Sequence, residues 1–322
     1  MVISKELASA AMIAVRDCMG VSPGERVLVI TDERLRTIGY ALRDAARDLG
    51  NEVMLVEILP RTTNGEEPPA EIAALMKMVD VVLCPTSKSL THTDARRAAS
   101  ASGVRVATLP GVTEEIMVRC MNADYHRIAE RTLKLCAMLE STSVVRVRAP
   151  AGTDITLPIR GRKAYASTGL FRNKGESGNL PTGEAFLAPV EGASSGVVVV
   201  DGSMAMLGML SAPIRISVEE GFATAITGGA EAARLTALLD AHGKDARTVA
   251  EFGIGTNDKA ILSGLILEDE KVMGTIHIAF GDNKSMGGSV RVASHLDGLV
   301  KEPTVWFDDQ LIMEKGSFVI AL

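Results

Sequence analysis

The first 140 residues alternate between short, continuous apolar runs and segments with helical spacing. The β-branched apolar runs predict strands at 26–31, 53–59, 79–83 and 104–109. The helical spacing predicts helices at 35–49, 69–78 and 91–101, and from about 113 to 139 with a possible break near Asn122. Apolar strands that alternate with helices are typical of a parallel sheet covered on both faces, so we expect a Rossmann-like α/β domain.

The pattern changes at residue 141. An alternating strand at 144–148 leads through a turn into a second strand at 155–159, and short Gly-rich strands follow, interrupted by one clear helix at 230–242. We therefore predict two domains, a Rossmann-like α/β domain over 1–140 and an α+β domain over 141–322. The charge run at 268–271, Glu-Asp-Glu-Lys, is typical of a helical turn exposed to solvent.

Composition and charge exclude several classes of protein. The net charge of −6 and the aromatic content of 3% argue against a nucleic-acid partner. The longest uncharged stretch, Gly202–Ile214, is too short to span a membrane, and the apolar run Leu7–Val15 is better explained as an amphipathic helix than as a signal peptide. Four cysteines without a CxxC pair indicate reduced, buried thiols and a cytoplasmic protein.

A few ionisable residues stand in unusual positions. His295 and Asp297 are two apart, so on a strand they face the same way and form half of a metal site or, equally well, a simple hydrogen-bonded pair. His277, inside an apolar strand, is more typical of a core histidine on its own. Glu184 and Glu251 lie beside Gly-containing turns, where each is either exposed or buried with a cation.

Four segments bring these residues together in one resemblance. The motifs at 179–184 (NLPTGE), 251–257 (EFGIGTN), 277–281 (HIAFG) and 295–297 (HLD) follow the order found in the thermophilic metallo-aminopeptidase family of aminopeptidases T and S. The resemblance implies a metal-binding C-terminal domain, two divalent ions (Zn, Co or Mn) and removal of N-terminal residues from small peptides by a homodimer. The implied metal ligands are Glu184, Glu251, His277, His295 and Asp297, with support from Asn179, Thr182 and Asn257.

One departure from this family keeps a second function open. The family carries an active-site tyrosine after the first metal-binding histidine, whereas the three tyrosines here all precede Glu184. The fold also resembles the 2,5-dihydroxypyridine dioxygenases, which implies one Fe(II) held by His277, His295 and Asp297 and a small-molecule substrate. We therefore expect a metallo-aminopeptidase, with a ring-cleaving dioxygenase as the alternative and a metal-free binding protein as a third hypothesis.

Overall fold

The computed structural model describes residues 2–322, which divide into two compact units. The first unit comprises the residues up to His126 together with Gly169–Thr182, and the second comprises Arg127–Thr168 together with Gly183–Leu322. The domain division at residue 141 stays a prediction. Among the described residues, no helix is long and apolar enough to cross a membrane.

The first unit is built on a parallel sheet. Its strands are β1 (Arg26–Asp32), β2 (Glu52–Ile58), β3 (Val81–Cys84), β4 (Arg105–Thr108) and, from later in the chain, β8 (Ser177–Asn179). They lie in the order β2-β1-β3-β4-β8. The helices are α1 (Lys5–Met12), extended as a π-helix over Ile13–Cys18, α2 (Arg36–Asp48), α3 (Ala70–Met76), α4 (Asp94–Ala101) and α5 (Glu114–Met121). The predicted Rossmann-like arrangement is confirmed.

The long helical stretch predicted at 113–139 is two helices. The second is α6 (Tyr125–Ser141), and the break falls at Asn122, whose side-chain amide donates to the carbonyl of Val118. An amide that bonds back to the last turn competes with the helical backbone bonds and ends the helix there.

The second unit contains two antiparallel sheets. Its strands are β5 (Val144–Arg148), β6 (Asp154–Pro158), β7 (Tyr165–Ser167), β9 (Glu184–Leu187), β10 (Ser195–Val200), β11 (Ser203–Met204), β12 (Gly208–Met209), β13 (Ile214–Glu219), β14 (Phe222–Thr227), β15 (Val249–Gly255), β16 (Ile276–Gly281), β17 (His295–Val300), β18 (Thr304–Phe307), β19 (Gln310–Glu314) and β20 (Ser317–Phe318). Two further helices are α7 (Ala230–Asp240) and α8 (Ile266–Asp269). The eight-stranded sheet runs β14-β13-β10-β6-β5-β18-β19-β20, and the seven-stranded sheet runs β12-β11-β17-β16-β15-β9-β7.

One face of the seven-stranded sheet joins the hydrophobic core. Phe252 and Ile254 of β15, Ile278 and Phe280 of β16 and Leu296 of β17 pack in a cluster that also takes in buried residues of the eight-stranded sheet and of α6 and α7. These are the even-numbered positions of the three strands. Because side chains alternate along a strand, the odd-numbered positions face the other way.

The charge run at 268–271 is not the exposed turn that its composition predicts. Glu268, Asp269 and Lys271 are buried. Asp269 accepts hydrogen bonds from the backbone N–H groups of Ser263 and Gly264, so its charge is compensated inside the protein. The four cysteines, by contrast, are free and buried as predicted.

Candidate metal centre

Four neighbouring strands carry all five predicted ligands. Glu184 begins β9, Glu251 lies in β15, His277 lies in β16, and His295 and Asp297 lie in β17. These strands are adjacent in the order β17-β16-β15-β9. All five residues belong to the second unit.

The pairing register places these side chains on one face of the sheet. Ala279 pairs with Glu251 on one side and with Asp297 on the other, so that carboxylates flank it in one row. His277 pairs with Gly253 one row further on. Directly paired residues point to the same face, so the face opposite the core is the polar one.

Small residues leave room for this cluster. A Cβ at Gly253 would lie 2.0 Å from Nε2 of His277. Ala279 and Gly281 continue the pattern along β16. The sequence alternates large apolar residues for the core with small or ionisable residues for the site, which explains the glycines in these strands.

The ionisable atoms form two groups that share Glu251. One contains Glu184, Glu251 and His277, and the other contains Glu251, His295 and Asp297. In the first, Nε2 of His277 lies 3.2 Å from Oε1 of Glu251 and 3.6 Å from Oε2 of Glu184. In the second, Nε2 of His295 lies 3.1 Å from Oε2 of Glu251 and 3.4 Å from Oδ1 of Asp297. Both imidazoles therefore turn Nε2 toward the same carboxylate.

A backbone contact fixes the orientation of His295. Its Nδ1 lies 2.7 Å from the carbonyl oxygen of Asp282, which can only accept a hydrogen bond. Nδ1 therefore carries a proton, and Nε2 is the nitrogen that would bind a metal ion after releasing its own proton, an arrangement common in metal-binding histidines. The side chain of His295 is 30% exposed, so this end of the cluster is open to solvent.

Lys271 is a residue of the site that the sequence did not predict. Its Nζ lies 2.7 Å from Oε1 of Glu184 and 2.6 Å from Oε2 of Glu270, and its side chain is 3% exposed. The only signal in the sequence is the charge run at 268–271, and the sequence analysis places that run at the surface as an exposed turn. Its position shows that Glu184 already has one cation.

Crowding of negative charge shifts the pKa values of the cluster. Burial disfavours the charged imidazole of His277, but the bond to Glu251 and the carboxylates around it prevail and raise its pKa to about 9. The pKa of His295 is raised for the same reason: burial lowers it, but the charges of Asp297 and Glu251 outweigh the burial. Burial raises the pKa of Glu270 to about 8. The site therefore attracts positive charge strongly.

Unpartnered atoms test whether a metal ion fits. Oε2 of Glu184 is buried and has no hydrogen-bond partner among the described residues, although Lys271 pairs with the other oxygen of this carboxylate. Buried polar atoms without a partner are rare and often mark an ion or ligand site. Imidazole and carboxylate donors without a thiolate suit Zn, Mn, Co or Fe(II). The residues present therefore fit a metal ion.

The three predicted supporting residues have different surroundings. Asn257 bonds through its backbone N–H to the carbonyl of Lys271. Asn179 belongs to the first unit, where its Oδ1 accepts a hydrogen bond from Thr108 at 2.8 Å. The backbone N–H of Thr182 donates to the hydroxyl of Tyr125. The bond of Asn257 therefore ties it to the segment that carries Lys271.

The fold and the site together define an α/β protein with an imidazole and carboxylate cluster suited to a metal ion. A family model described as NicX, 2,5-dihydroxypyridine 5,6-dioxygenase, matches residues 8–320. The chain belongs to this family.

Individual relatives agree with the family. The chain is 24% identical over 310 residues to 2,5-dihydroxypyridine 5,6-dioxygenase of Pseudomonas putida KT2440, covering 88% of this chain and 87% of the relative. The structure of the 2,5-dihydroxypyridine dioxygenase from Pseudomonas putida KT2440 superposes with a TM-score of 0.83 at 20% identity over 98% of this chain and 97% of the other. AmpT from Thermus thermophilus gives 0.71 at 19% identity over 98% and 99%.

The family corrects the predicted activity. The expectation of an aminopeptidase, and with it of a hydrolase or protease, is wrong because the family match covers nearly the whole chain and names a dioxygenase. The similarity to AmpT is a similarity of fold. In this chain the four motifs lie on or next to strands of that shared fold. The expected pair of metal ions is likewise not supported.

Proposed function

We propose that this protein is a dioxygenase that opens the ring of a hydroxylated pyridine at a single Fe(II) ion. The observation that carries the proposal is the convergence of His277, His295 and Asp297 on Glu251 in a chain of this family. Two imidazoles and one carboxylate are the donor set typical of non-haem Fe(II) oxygenases. Iron(II) held there would bind and activate O2 beside the substrate.

The surrounding residues prepare the site for this ion. The carbonyl of Asp282 keeps the proton of His295 on Nδ1, so that Nε2 faces the cluster. Glu251 presents one oxygen to each imidazole and adds the negative charge that a dication needs. Burial of His277 and Asp297 lowers the local dielectric, which strengthens these interactions.

Oxygen consumption tests the proposal. The protein is loaded with Fe(II) without air, and O2 uptake is followed with 2,5-dihydroxypyridine, together with loss of the ring absorbance. We expect about one O2 consumed per substrate, as a dioxygenase requires, and no uptake from protein loaded with Zn(II), which has no redox chemistry. Folded, iron-loaded protein that consumes no O2 with 2,5-dihydroxypyridine or other hydroxylated pyridines would contradict the function.

Two further expectations accompany this function. We propose that the enzyme acts on a free small molecule in the cytoplasm and that it assembles as a homodimer. Sedimentation of the purified chain measures its mass in solution, and a monomer would contradict the second expectation.

A further inference from the structure

Lys271 is held rigidly in the site. The N–H of Asn257 donates to the carbonyl of Lys271 at 2.9 Å, and the N–H of Met273 donates to the carbonyl of Asn257. The segment passes so close to β15 that a Cβ at Gly255 would lie 2.2 Å from the carbonyl oxygen of Val272. The main chain therefore fixes where the ammonium group can reach.

The ammonium lies at one of the two groups of metal-binding residues. Both groups contain Glu251, whereas Glu184 belongs to the first group alone. Oε1 of Glu184 lies 2.7 Å from Nζ of Lys271. Because His277 already belongs to the proposed iron site, a second dication beside it would need Glu184 as a ligand and would share this carboxylate with the ammonium. The two cations would repel each other in a buried site with little water to screen them.

The opposite group has no such cation. Nε2 of His295 contacts Glu251 and Asp297, and among residues 2–322 no lysine or arginine forms an ion pair with Asp297. Lys271 reaches Asp297 only through Glu270. The side chain of His295 is 30% exposed, which leaves the approach of a metal ion to this group open.

We propose that Lys271 is a built-in cation that takes the place of a second metal ion and thereby limits the site to one. The proposal rests on the proposed one-iron site and names the residue that sets its metal count. Lys271 acts through Glu184, so it is a positioning residue. A merely structural ion pair would affect folding but leave the metal count unchanged.

Metal stoichiometry tests the proposal without relying on activity. Wild-type protein and Lys271→Met, which removes the charge but keeps most of the side-chain length, are saturated with Mn(II) and analysed for metal per chain. We expect about one equivalent in the wild type and about two in Lys271→Met, because Glu184 is then free to ligate. Electron paramagnetic resonance should show isolated Mn(II) in the first and a spin-coupled pair in the second.

A surface lysine provides the matched control. Lys301 lies 4.0 Å from Asp201 and is 46% exposed, so Lys301→Met should bind about one equivalent, as the wild type does. Circular dichroism confirms that each variant is folded before its metal is counted. One equivalent in folded Lys271→Met overturns the role of Lys271, and so do two equivalents in the wild type.

A second variant covers the case in which Lys271→Met does not fold. In Glu184→Gln the amide oxygen still accepts a hydrogen bond from Lys271, so the fold is retained. We expect this variant to keep about one equivalent of Mn(II) with an affinity within about threefold of the wild type, because Lys271 and not the ion is the partner of Glu184. Loss of the ion would show that Glu184 is a ligand and overturn the proposal.

The outcomes also separate this inference from the proposed function. If the wild type binds one ion and consumes O2, and folded Lys271→Met also binds one ion, the proposed dioxygenase function stands and the proposed role of Lys271 is wrong. If the wild type binds no metal ion, both the proposed function and the proposed role of Lys271 are wrong.

Discussion

The parallel sheet of the first unit and the seven-stranded sheet of the second unit differ in how completely their buried charged side chains are paired. In the first, Asp32 accepts hydrogen bonds from the backbone N–H and the hydroxyl of Ser87, and Arg105 binds Glu25 at 2.6 Å. In the second, Lys271 binds one oxygen of Glu184, but the other oxygen remains without a partner among the described residues.

This difference agrees with the proposal that the metal ion binds at the seven-stranded sheet. Burying a charge is costly unless a partner compensates it, so a sheet that serves only as a scaffold satisfies its charges internally. A sheet whose charges are left incompletely paired needs a component from outside the chain. The strand pattern of the first unit is typical of a nucleotide-binding fold, yet the functional evidence lies in the other unit.

The largest expected effect comes from removing a ligand. His295→Ala should abolish tight metal binding, with affinity falling at least about 100-fold, since it removes one of the few donors of the proposed ion. Elemental analysis of protein purified without chelators measures this. The exposed His242 supplies the control, and His242→Ala should retain the metal. Full metal content in His295→Ala would contradict the prediction, because His295 would then not hold the ion.

The matching change in the first unit should affect stability alone. Arg105→Met removes the guanidinium that binds Glu25 and donates to the carbonyls of Met19 and Gly20. We expect a loss of about 3 kcal/mol in the free energy of unfolding and no change in metal content.

Urea denaturation measures this loss. Arg26→Met breaks an ion pair with Asp80 in which both side chains are exposed, and it should lower the free energy of unfolding much less than Arg105→Met does. A change in metal content in Arg105→Met would contradict the division of roles between the two sheets.

The sequence predicted the scaffold of the first unit well because that information is local. Strands such as Val81–Cys84 are apolar along their whole length, and the helices between them show their own periodicity. The break near Asn122 was visible for the same reason. Segments a few residues long contain enough information to define each of these elements.

The site was predictable only in part because it is not local. Glu184 and Asp297 are more than a hundred residues apart in the chain, and the pattern of either segment alone does not place them together. The resemblance to the metallo-aminopeptidase family predicts that these residues lie together, but it also predicts the wrong activity, because the fold is shared by proteins of different function. Lys271 was missed because a charge run indicates solvent unless the partners that bury it are known.

A smaller effect is expected where the seven-stranded sheet makes room for the site. In Gly253→Ala the new methyl group would meet Nε2 of His277 at 2.0 Å, so the imidazole or the strand must shift. We expect a loss of about 1–3 kcal/mol in the free energy of unfolding together with weaker metal binding.

Calorimetric titration with Mn(II) and urea denaturation measure the two effects. Gly229→Ala is the control, since a Cβ there meets its nearest neighbour at an ordinary 3.7 Å. Unchanged metal affinity in Gly253→Ala would show that the position of His277 does not matter for binding.

The smallest expected effect concerns the loop that joins the two histidine strands. Oε1 of Glu191 accepts hydrogen bonds from the N–H of Ser289 at 2.7 Å and from the amide of Asn283 at 3.0 Å, and Arg162 binds its other oxygen. Burial opposes ionisation of Glu191, but these donors prevail and hold its pKa at about 2.

A carboxylate with a lowered pKa stabilises the folded state when ionised. Its contribution is complete above the unfolded-state pKa of about 4.3 and is lost as the pH falls toward 2. Glu191→Gln should therefore lower the free energy of unfolding by about 1–2 kcal/mol at neutral pH, with a difference from the wild type that shrinks below about pH 4. Thermal melting of both proteins across this range measures the difference. A gap that stays constant down to pH 2 would show that the charge of Glu191 does not hold the loop that carries Asp282 to His295.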